Sequence, residues 1–407
     1  MIQGASTLRD ANLSMAFDAI CADSGMTRAE LSRRLGMSRS TASSLVQELI
    51  DYGLICEDGP AESTSGRRAI MLRLNDKSWF VFGVDIGASH VTTLLMSLSG
   101  AVVATRRERV DSRLKPQEAL DAVCEQARDI MAASSLTSAE ILGMGVAVPA
   151  PVVPDSGGAI CEETMAAWRD IRVEQVLGER LQLQCLVDND ANLGALAEHW
   201  WGVGRHVKNM LFLKVATGVG CGMIVDGALH RGRGGFVGEL GHMRLQTQEG
   251  GKLLSLNELV GRIPLIERYK SLCSPDDMPA NLILNSNQTL ISKAQAGDPV
   301  AKQVIEESGH WLGIAVSNII HLLNPELIVI GGSLSGSGDL LLKPVQKVVD
   351  DMMGWLKLKE TRVTLGRLGE RDVATGGATL IIQVMKADII GWLGQIKDSQ
   401  VPERANA

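Results

Sequence analysis

The chain has 407 residues, more than one hydrophobic core usually holds, so two or three domains are expected. Hydrophobic residues make up 45% of it and aromatic ones only 3%, a composition suited to sizeable aliphatic cores. A formal net charge of -7 gives no global nucleic-acid signal, and seven scattered cysteines with no C-x-x-C pair argue against a disulfide framework or a ready zinc cluster.

No charged-then-apolar leader opens the chain. Its most apolar stretch, Trp311 to Ile330, is broken by Asn318, His321, Asn324, Pro325 and Glu326. Neither secretion nor membrane insertion is therefore expected, and a reduced cytoplasm is the expected location.

Leu13, Phe17, Ile20 and Cys21 fall on one helical face. Thr27-Arg-Ala-Glu30 has the capping-box pattern and starts a second helix that buries Leu31 and Leu35. After the short turn Gly36-Met-Ser38, a third helix is apolar at Ala42, Leu45, Val46, Leu49 and Ile50. Its other face carries Arg39, Ser40, Thr41, Ser43, Ser44 and Gln47. Short hydroxyls and one guanidinium suit a helix that enters a DNA major groove, because they donate to base edges and phosphates without filling it. Tyr52 to Ile55 ends this helix, Glu57 to Gly66 reads as a polar loop, and Arg68 to Leu74 returns as a strand.

Residues 1–76 thus read as a winged helix-turn-helix, with Arg67 and Arg68 where a wing meets the minor groove. An oligomerisation cap is the competing reading of the three helices, and a solvated loop explains the two arginines equally well. This segment has eight arginines, no lysine and ten acidic residues, so DNA contact must rest on placed arginines.

From Trp79 one pattern occurs twice. Val81 to Asp85 is an apolar strand, Gly87-Ala-Ser89 a small-residue turn, and Val91 to Met96 a second strand. Later Met210 to Val215 is a strand, Thr217 to Gly222 a glycine-rich turn, Met223 to Val225 a strand, and Asp226-Gly227 a tight hairpin. Two such hairpins facing each other would grip a polyphosphate with backbone N–H groups. Between them Leu186-Val-Asp188-Asn189-Asp190 is a strand that ends in carboxylates and amides, where α/β folds place ligands. An Asp there can serve as general base toward a sugar hydroxyl or accept its hydrogen bond.

Asn189-Asp190-Ala-Asn192, Ala216-Thr-Gly-Val-Gly-Cys-Gly222, Gly238-Glu-Leu-Gly-His242 and Ser317-Asn-Ile-Ile-His-Leu-Leu-Asn-Pro325-Glu-Leu-Ile-Val-Ile-Gly331-Gly332 together resemble the ROK family of repressors, open reading frames and sugar kinases. The resemblance runs from about residue 12 to about residue 390. It implies an α/β chain: an N-terminal winged helix-turn-helix on a two-lobed, actin-like (ribonuclease H-like) body with a sugar in the cleft. The first lobe would span 77–195, completed by C-terminal helices at about 378–397, and the second lobe 196–377. Carried over by position, Asn189, Asp190, Glu239, His242 and Glu258 would contact the sugar, with Asp190 the catalytic base if kinase activity is kept. Asp85, Gly87, Thr217, Gly218, Gly220 and Gly332 would line the nucleotide side.

Two departures stand out. Family kinases begin Asp-x-Gly-Gly-Thr-Lys, whereas this chain reads Asp85-Ile-Gly87-Ala88-Ser89-His90. An added Cβ and a lost lysine argue against ATP binding. Many members also carry a C-x-C-G-x-x-G-C loop that binds zinc with the histidine, but Arg244 to Leu256 contains no cysteine. No zinc is expected, since a closed tetrahedral site would need three thiolates beside His242.

The expected function is a sugar-responsive transcriptional regulator, most often a repressor of carbohydrate genes in this family. Its partners would be operator DNA, a sugar or sugar phosphate effector and a second copy in a homodimer. A sugar kinase with an accessory DNA-binding domain is the alternative. A regulator whose cleft answers to a protein partner is a third reading.

Overall fold

Helix α1 (Leu8–Ala22) turns Leu13, Phe17 and Ile20 inward, as their spacing demands. The computed structural model describes residues 8–23, 25–60, 70–152, 163–247, 251–273, 287–355, 361–389 and 391–392. Strand β1 (Met26–Thr27) leads into α2 (Arg28–Arg34), whose first turn is closed by the expected capping box. There Glu30 Oε2 accepts from Thr27 N at 2.8 Å. Gly36, at φ 63°, allows the tight turn into α3 (Arg39–Asp51), which Ser38 caps. Strands β2 (Ile55–Pro60) and β3 (Ile70–Leu74) complete a three-stranded antiparallel sheet in the order β1-β3-β2.

Residues Glu57 to Pro60 belong to β2, although their polarity reads as loop. An edge strand needs only one partner, and β3 supplies it. Arg67 and Arg68 lie outside the described residues.

The first lobe holds β4 (Phe80–Gly87), β5 (His90–Ser97), β6 (Val102–Glu108), α4 (Pro116–Ala133), β7 (Ile141–Val148), α5 (Val173–Leu181), β8 (Cys185–Asn189) and α6 (Asp190–Trp201). Its sheet runs β6-β5-β4-β7-β8, with β4, β5 and β6 antiparallel and β7 and β8 parallel to β4.

The second lobe repeats this scheme. It contains β9 (Met210–Val215), β10 (Val219–Val225), β11 (Ala228–Leu229), β12 (Arg244–Gln246), β13 (Leu253–Ser255), α7 (Leu256–Val260), α8 (Arg262–Leu272), α9 (Asn287–Gln295), α10 (Pro299–Leu323), β14 (Leu327–Gly331), α11 (Asp339–Met352) and β15 (Arg362–Leu365). Its sheet runs β11-β10-β9-β14-β15, with the same mixture of antiparallel and parallel pairs. The central strands β4, β7 and β14 are buried along their whole length, hence their unbroken apolar character.

Helix α12 (Asp372–Ala387) returns to the first lobe and packs on both β4 and α6. It lies directly on the sheet: a Cβ on Gly83 or Gly145 would overlap the carbonyl oxygens of Ala374 or Gly377. The lobe boundary expected at 195 falls inside α6 and that at 377 inside α12, because both helices lie between the sheets. Residues 393–397 lie outside the described part.

The far end of α12 enters the winged-helix core. Phe17, Ile20, Leu54 and Trp79 share one apolar cluster with Val81, Ala378, Ile381, Met385, Ile389 and Trp392. Lys386 pairs with Asp18 at 3.1 Å, and Trp79 Nε1 donates to the Tyr52 carbonyl at 2.8 Å. The three-helix winged module is therefore docked on the first lobe and does not hang from residues Asn75 to Trp79 alone. Among the described residues no helix is long and apolar enough to cross a membrane.

Candidate functional site

A cavity of about 480 Å³ lies between the lobes. The β4–β5 turn and the start of α6 line it on one side, and the β9–β10 turn, the Glu239–His242 segment and the start of α8 on the other. Most of these segments are the end of a strand or the beginning of a helix. Their exposed backbone groups and short polar side chains make the place chemically rich.

Asp190 is the first residue of α6 and is buried. Its Oδ2 lies 2.5 Å from Nζ of Lys214, which comes across from β9. Lys214 is itself buried; burial opposes its charge, but Asp190 and Asp85 outweigh that and push its pKa above the ordinary lysine range. Asp85, at the end of β4, lies 2.9 Å through Oδ2 from His90 Nε2, while its Oδ1 is buried with no hydrogen-bond partner among the described residues. Burial works against the Asp85 carboxylate, yet Lys214 and His90 prevail and hold its pKa down to about 2.

The sequence reading named Asp190 and Asp85 but missed Lys214. Its signal was a single charge inside the otherwise apolar run Met210 to Val215. The reading also noted the lysine lost at position 90, not that the histidine there folds back. The imidazole lies over Gly87, so close that a Cβ at Gly87 would overlap the ring.

The five expected sugar contacts are not equivalent. Asn189 caps α6, accepting from Ala191 N at 2.9 Å and Asn192 N at 3.2 Å, and donates to the Ala150 carbonyl at 3.2 Å. Its amide mainly fixes the start of α6. Glu239 and His242 line the cavity, with His242 Nε2 3.9 Å from Glu239 Oε2. Glu258 does not line it: its Oε2 accepts from Ser255 N and Ser255 Oγ, both at 2.7 Å, in a capping box. The pattern Ser255-Leu-Asn-Glu258 was legible as such a box. The neighbouring Asn257 reaches the cavity instead, accepting from Val219 N at 2.8 Å.

Thr217, Gly218, Gly220 and Gly332 all line the cavity. The glycines answer to packing as much as to any ligand. A Cβ on Gly220 would press on Ala191 at 3.0 Å, and one on Gly222 would overlap the Ala191 carbonyl, so α6 lies directly on β10. Gly332, at φ 79°, would meet the Val215 carbonyl at 2.6 Å. Strand β10 begins at Val219, so the turn is shorter than the Thr217–Gly222 run suggests. Pairing with β9 takes up the last glycines.

Two further carboxylates lie near the cleft, Asp372 in its wall and Asp188 at the end of β8. Asp188 Oδ2 accepts from both Arg231 Nε at 2.9 Å and Nη2 at 2.5 Å, an ion pair that joins β8 to the second lobe. Asp372 begins α12 at the cavity wall, where burial raises its pKa to about 7.

On α3 the side chains of Arg39, Ser40, Thr41, Ser44 and Gln47 are exposed, while Ser43 is half-buried. Ser40 and Thr41 each bond the Ser38 hydroxyl at 2.8 Å, and Gln47 donates to Asp51 at 2.9 Å. The buried face of Ala42, Leu45, Val46 and Leu49 fixes the outward aim of the rest.

Where a cysteine loop would bind zinc, β12 and β13 pair as an antiparallel hairpin. Among the described residues no group of three His, Cys, Asp or Glu side chains is placed to hold a metal. Among the described residues, the Glu239 carboxylate beside His242 with no thiolate on β12 or β13 does not fit zinc.

The family model "ROK family" matches residues 81–384. The chain belongs to the ROK family. A second model, winged helix-turn-helix DNA-binding, matches residues 16–55. A putative xylose repressor of Caldicellulosiruptor sp. is 27% identical over 89% of the chain and 93% of its own length. A glucokinase of Halalkalibacterium halodurans is 30% identical, over 66% of the chain and 84% of its own length. Among solved structures, a ROK family transcriptional regulator described as a homolog of the E. coli MLC protein superposes with a TM-score of 0.76. It is 22% identical and covers 96% of the chain and 99% of itself. This ROK chain thus shares both its winged helix and its two-lobed body with a regulator.

Proposed function

We propose that the protein is a DNA-binding transcriptional regulator, a repressor of carbohydrate genes, whose hold on operator DNA is set by a sugar in the interlobe cleft. One observation carries this reading: α12 starts with Asp372 and Val373 at the cavity and ends in the winged-helix core beside Asp18. At 1.5 Å per residue a helix of 16 residues spans about 24 Å. A rigid rod of that length carries a change of lobe angle to α1 and α3. Relatives named as sugar repressors align over both the reader and the body, which supports the pairing of the two roles. Two α3 helices on successive half-sites imply a homodimer, acting in the cytoplasm.

Neither zinc nor ATP enters this reading. The His90 ring lies against Gly87 of the β4–β5 turn, and Lys214 holds the carboxylate a kinase would use as base. Asp190 remains free to accept a sugar hydroxyl through its other oxygen.

The test is fluorescence anisotropy with an operator selected from a random duplex library, repeated across a panel of pentoses, hexoses, amino sugars and their phosphates. A shift of about 5- to 150-fold in operator affinity with one sugar is expected. Unchanged affinity across the whole panel would overturn the reading.

A further inference from the structure

Among the described elements the chain passes between the lobes twice. The first crossing, 202–209, leads from α6 to β9, and the second, 366–371, from β15 to α12. Both are bonded to one side chain. Glu198, in the last turn of α6, is fully buried. Its Oε2 accepts from Val203 N at 2.9 Å in the first crossing. Its Oε1 accepts from Arg367 N at 2.7 Å and Leu368 N at 2.9 Å in the second. The Glu198 carbonyl takes two more N–H groups of the first crossing, from Gly202 at 3.1 Å and Gly204 at 2.9 Å.

A glycine opens each crossing where the carboxylate arrives. A Cβ on Gly202 would overlap Oε2, and one on Gly366 would meet Oε1 at 2.8 Å. Burying a carboxylate is costly unless hydrogen bonds meet its charge. Among the described residues Glu198 has no ion-pair partner, and three backbone N–H groups meet the charge instead. An apolar side chain would fill the same space without that cost, but would leave the three donors unpaired.

Each crossing has its own oxygen, so the two can turn relative to each other about the carboxylate while both stay bonded. A change of lobe angle is absorbed in connecting segments, and segments tied to one point move least there. From that point the second crossing continues to Gly369 and Glu370 in the cavity wall, then to Asp372 at the head of α12. The helix that carries Glu198 itself starts at the cavity with Asp190, about 12 Å away along its axis.

We propose that Glu198 is the positioning residue of lobe closure: its carboxylate ties both crossings to one pivot, so that occupancy of the cleft turns the lobes along a single path. Glu198 does not line the cavity and acts through the chain it holds. The consequence for DNA rests on the sugar-response reading; the pivot itself does not. With the carboxylate in place, a change at Asp190 reaches α12 through one defined lobe angle. Without it the crossings move independently, and the cleft and the winged helix lose their common motion.

The test is double electron–electron resonance on the full-length protein. Nitroxides are carried by ketone-bearing residues at Glu125 of α4 and Glu306 of α10, both exposed and one on each lobe, so the cysteines stay untouched. With Glu198 intact the interlobe distance distribution should be narrow. Glu198→Gln keeps the shape and the acceptor for Arg367 and Leu368 but turns an N–H toward Val203, and should broaden the distribution. Gly366→Ala presses on Oε1 from the other crossing and should broaden it by less. Leu312→Ala opens a cavity in the second-lobe core, lowers stability and should leave the width unchanged. Operator affinity is read in parallel with xylose, glucose, N-acetylglucosamine and their phosphates. A shift of about 5- to 150-fold in the wild type should shrink to within about 2-fold in Glu198→Gln.

Distributions as narrow in Glu198→Gln and Gly366→Ala as in the wild type would overturn the pivot. Equal broadening in Leu312→Ala would do the same, because it marks a loss of stability alone. A sugar response kept in full by Glu198→Gln would also count against it. If the wild type answers to no sugar, the regulator reading falls and the widths alone decide the pivot. If Glu198→Gln does not fold, Gly366→Ala carries the comparison.

Discussion

The β4–β5 and β9–β10 hairpins are the same device built twice, and they differ in what lies over the turn. In the first, the residue that closes the turn is His90, and its ring folds back over Gly87 to reach Asp85. In the second, Asn257 holds the turn from outside, and the cavity stays open at Thr217 and Gly218. One strand–turn–strand pattern therefore gives two turns on the same cavity, one with its own histidine folded against Gly87 and one held by Asn257 of α7. Lys214 joins the two, projecting from the second hairpin's strand onto the carboxylates of the first lobe.

Removing that shared cation should have the largest effect. Lys214→Met leaves Asp85 and Asp190 buried without their cation, a loss of about 3–5 kcal/mol at neutral pH. The native Asp85, held down to about 2, contributes stability above the ordinary carboxylate value that is lost as pH falls toward 2. The variant lacks this contribution and takes up protons sooner, so its deficit should shrink on acidification. Urea denaturation at pH 7 and pH 4 checks both statements, and an unchanged midpoint at pH 7 would show that Lys214 is not the link between the hairpins.

The two turns should also tolerate bulk differently. Gly222→Val drives a side chain into the backbone of α6 and should cost about 3 kcal/mol. Gly87→Ala meets only the His90 ring, a side chain and not backbone, and should cost about 1 kcal/mol or less. Equal losses in denaturant titration would erase the contrast.

A third effect lies where α12 meets the cleft. Asp372 has a native pKa raised to about 7, so folding takes up a proton between the ordinary value of 3.8 and 7. Stability should fall as pH rises through that window, by at most about 1.4 kcal/mol per pH unit. Asp372→Asn keeps an acceptor for Val373 N and should flatten the profile between pH 5 and pH 8. A wild-type profile already flat there would contradict the burial argument.

The smallest effect separates a cap from a ligand. Glu258→Gln should lower the thermal midpoint slightly, through the weakened box at Ser255, and leave effector affinity unchanged. A large loss of affinity with normal stability would return Glu258 to the cleft.

Much of this was legible in the sequence. Helical spacing placed Leu13, Phe17 and Ile20 in the core, and the Thr27–Glu30 and Ser38 caps marked two helix starts. The duplicated strand–turn–strand runs marked the centre of both sheets. Contacts between distant segments were not legible. Nothing local to Lys214 says that it crosses to Asp190, and nothing near Arg231 says that it holds Asp188. Glu258 was carried over by resemblance, and the capping box Ser255–Glu258 written in the sequence is what the fold gives it. The docking of the winged helix on α12 joins residues more than 300 positions apart, beyond any periodicity.

The central claim is that cleft and DNA reader share one equilibrium. Linkage makes it measurable from the ligand side: the effector dissociation constant is determined for the free protein and for protein saturated with operator. The account predicts two values that differ by about 5- to 150-fold, matching the effect of effector on operator affinity. An effector that binds both forms equally well would contradict it.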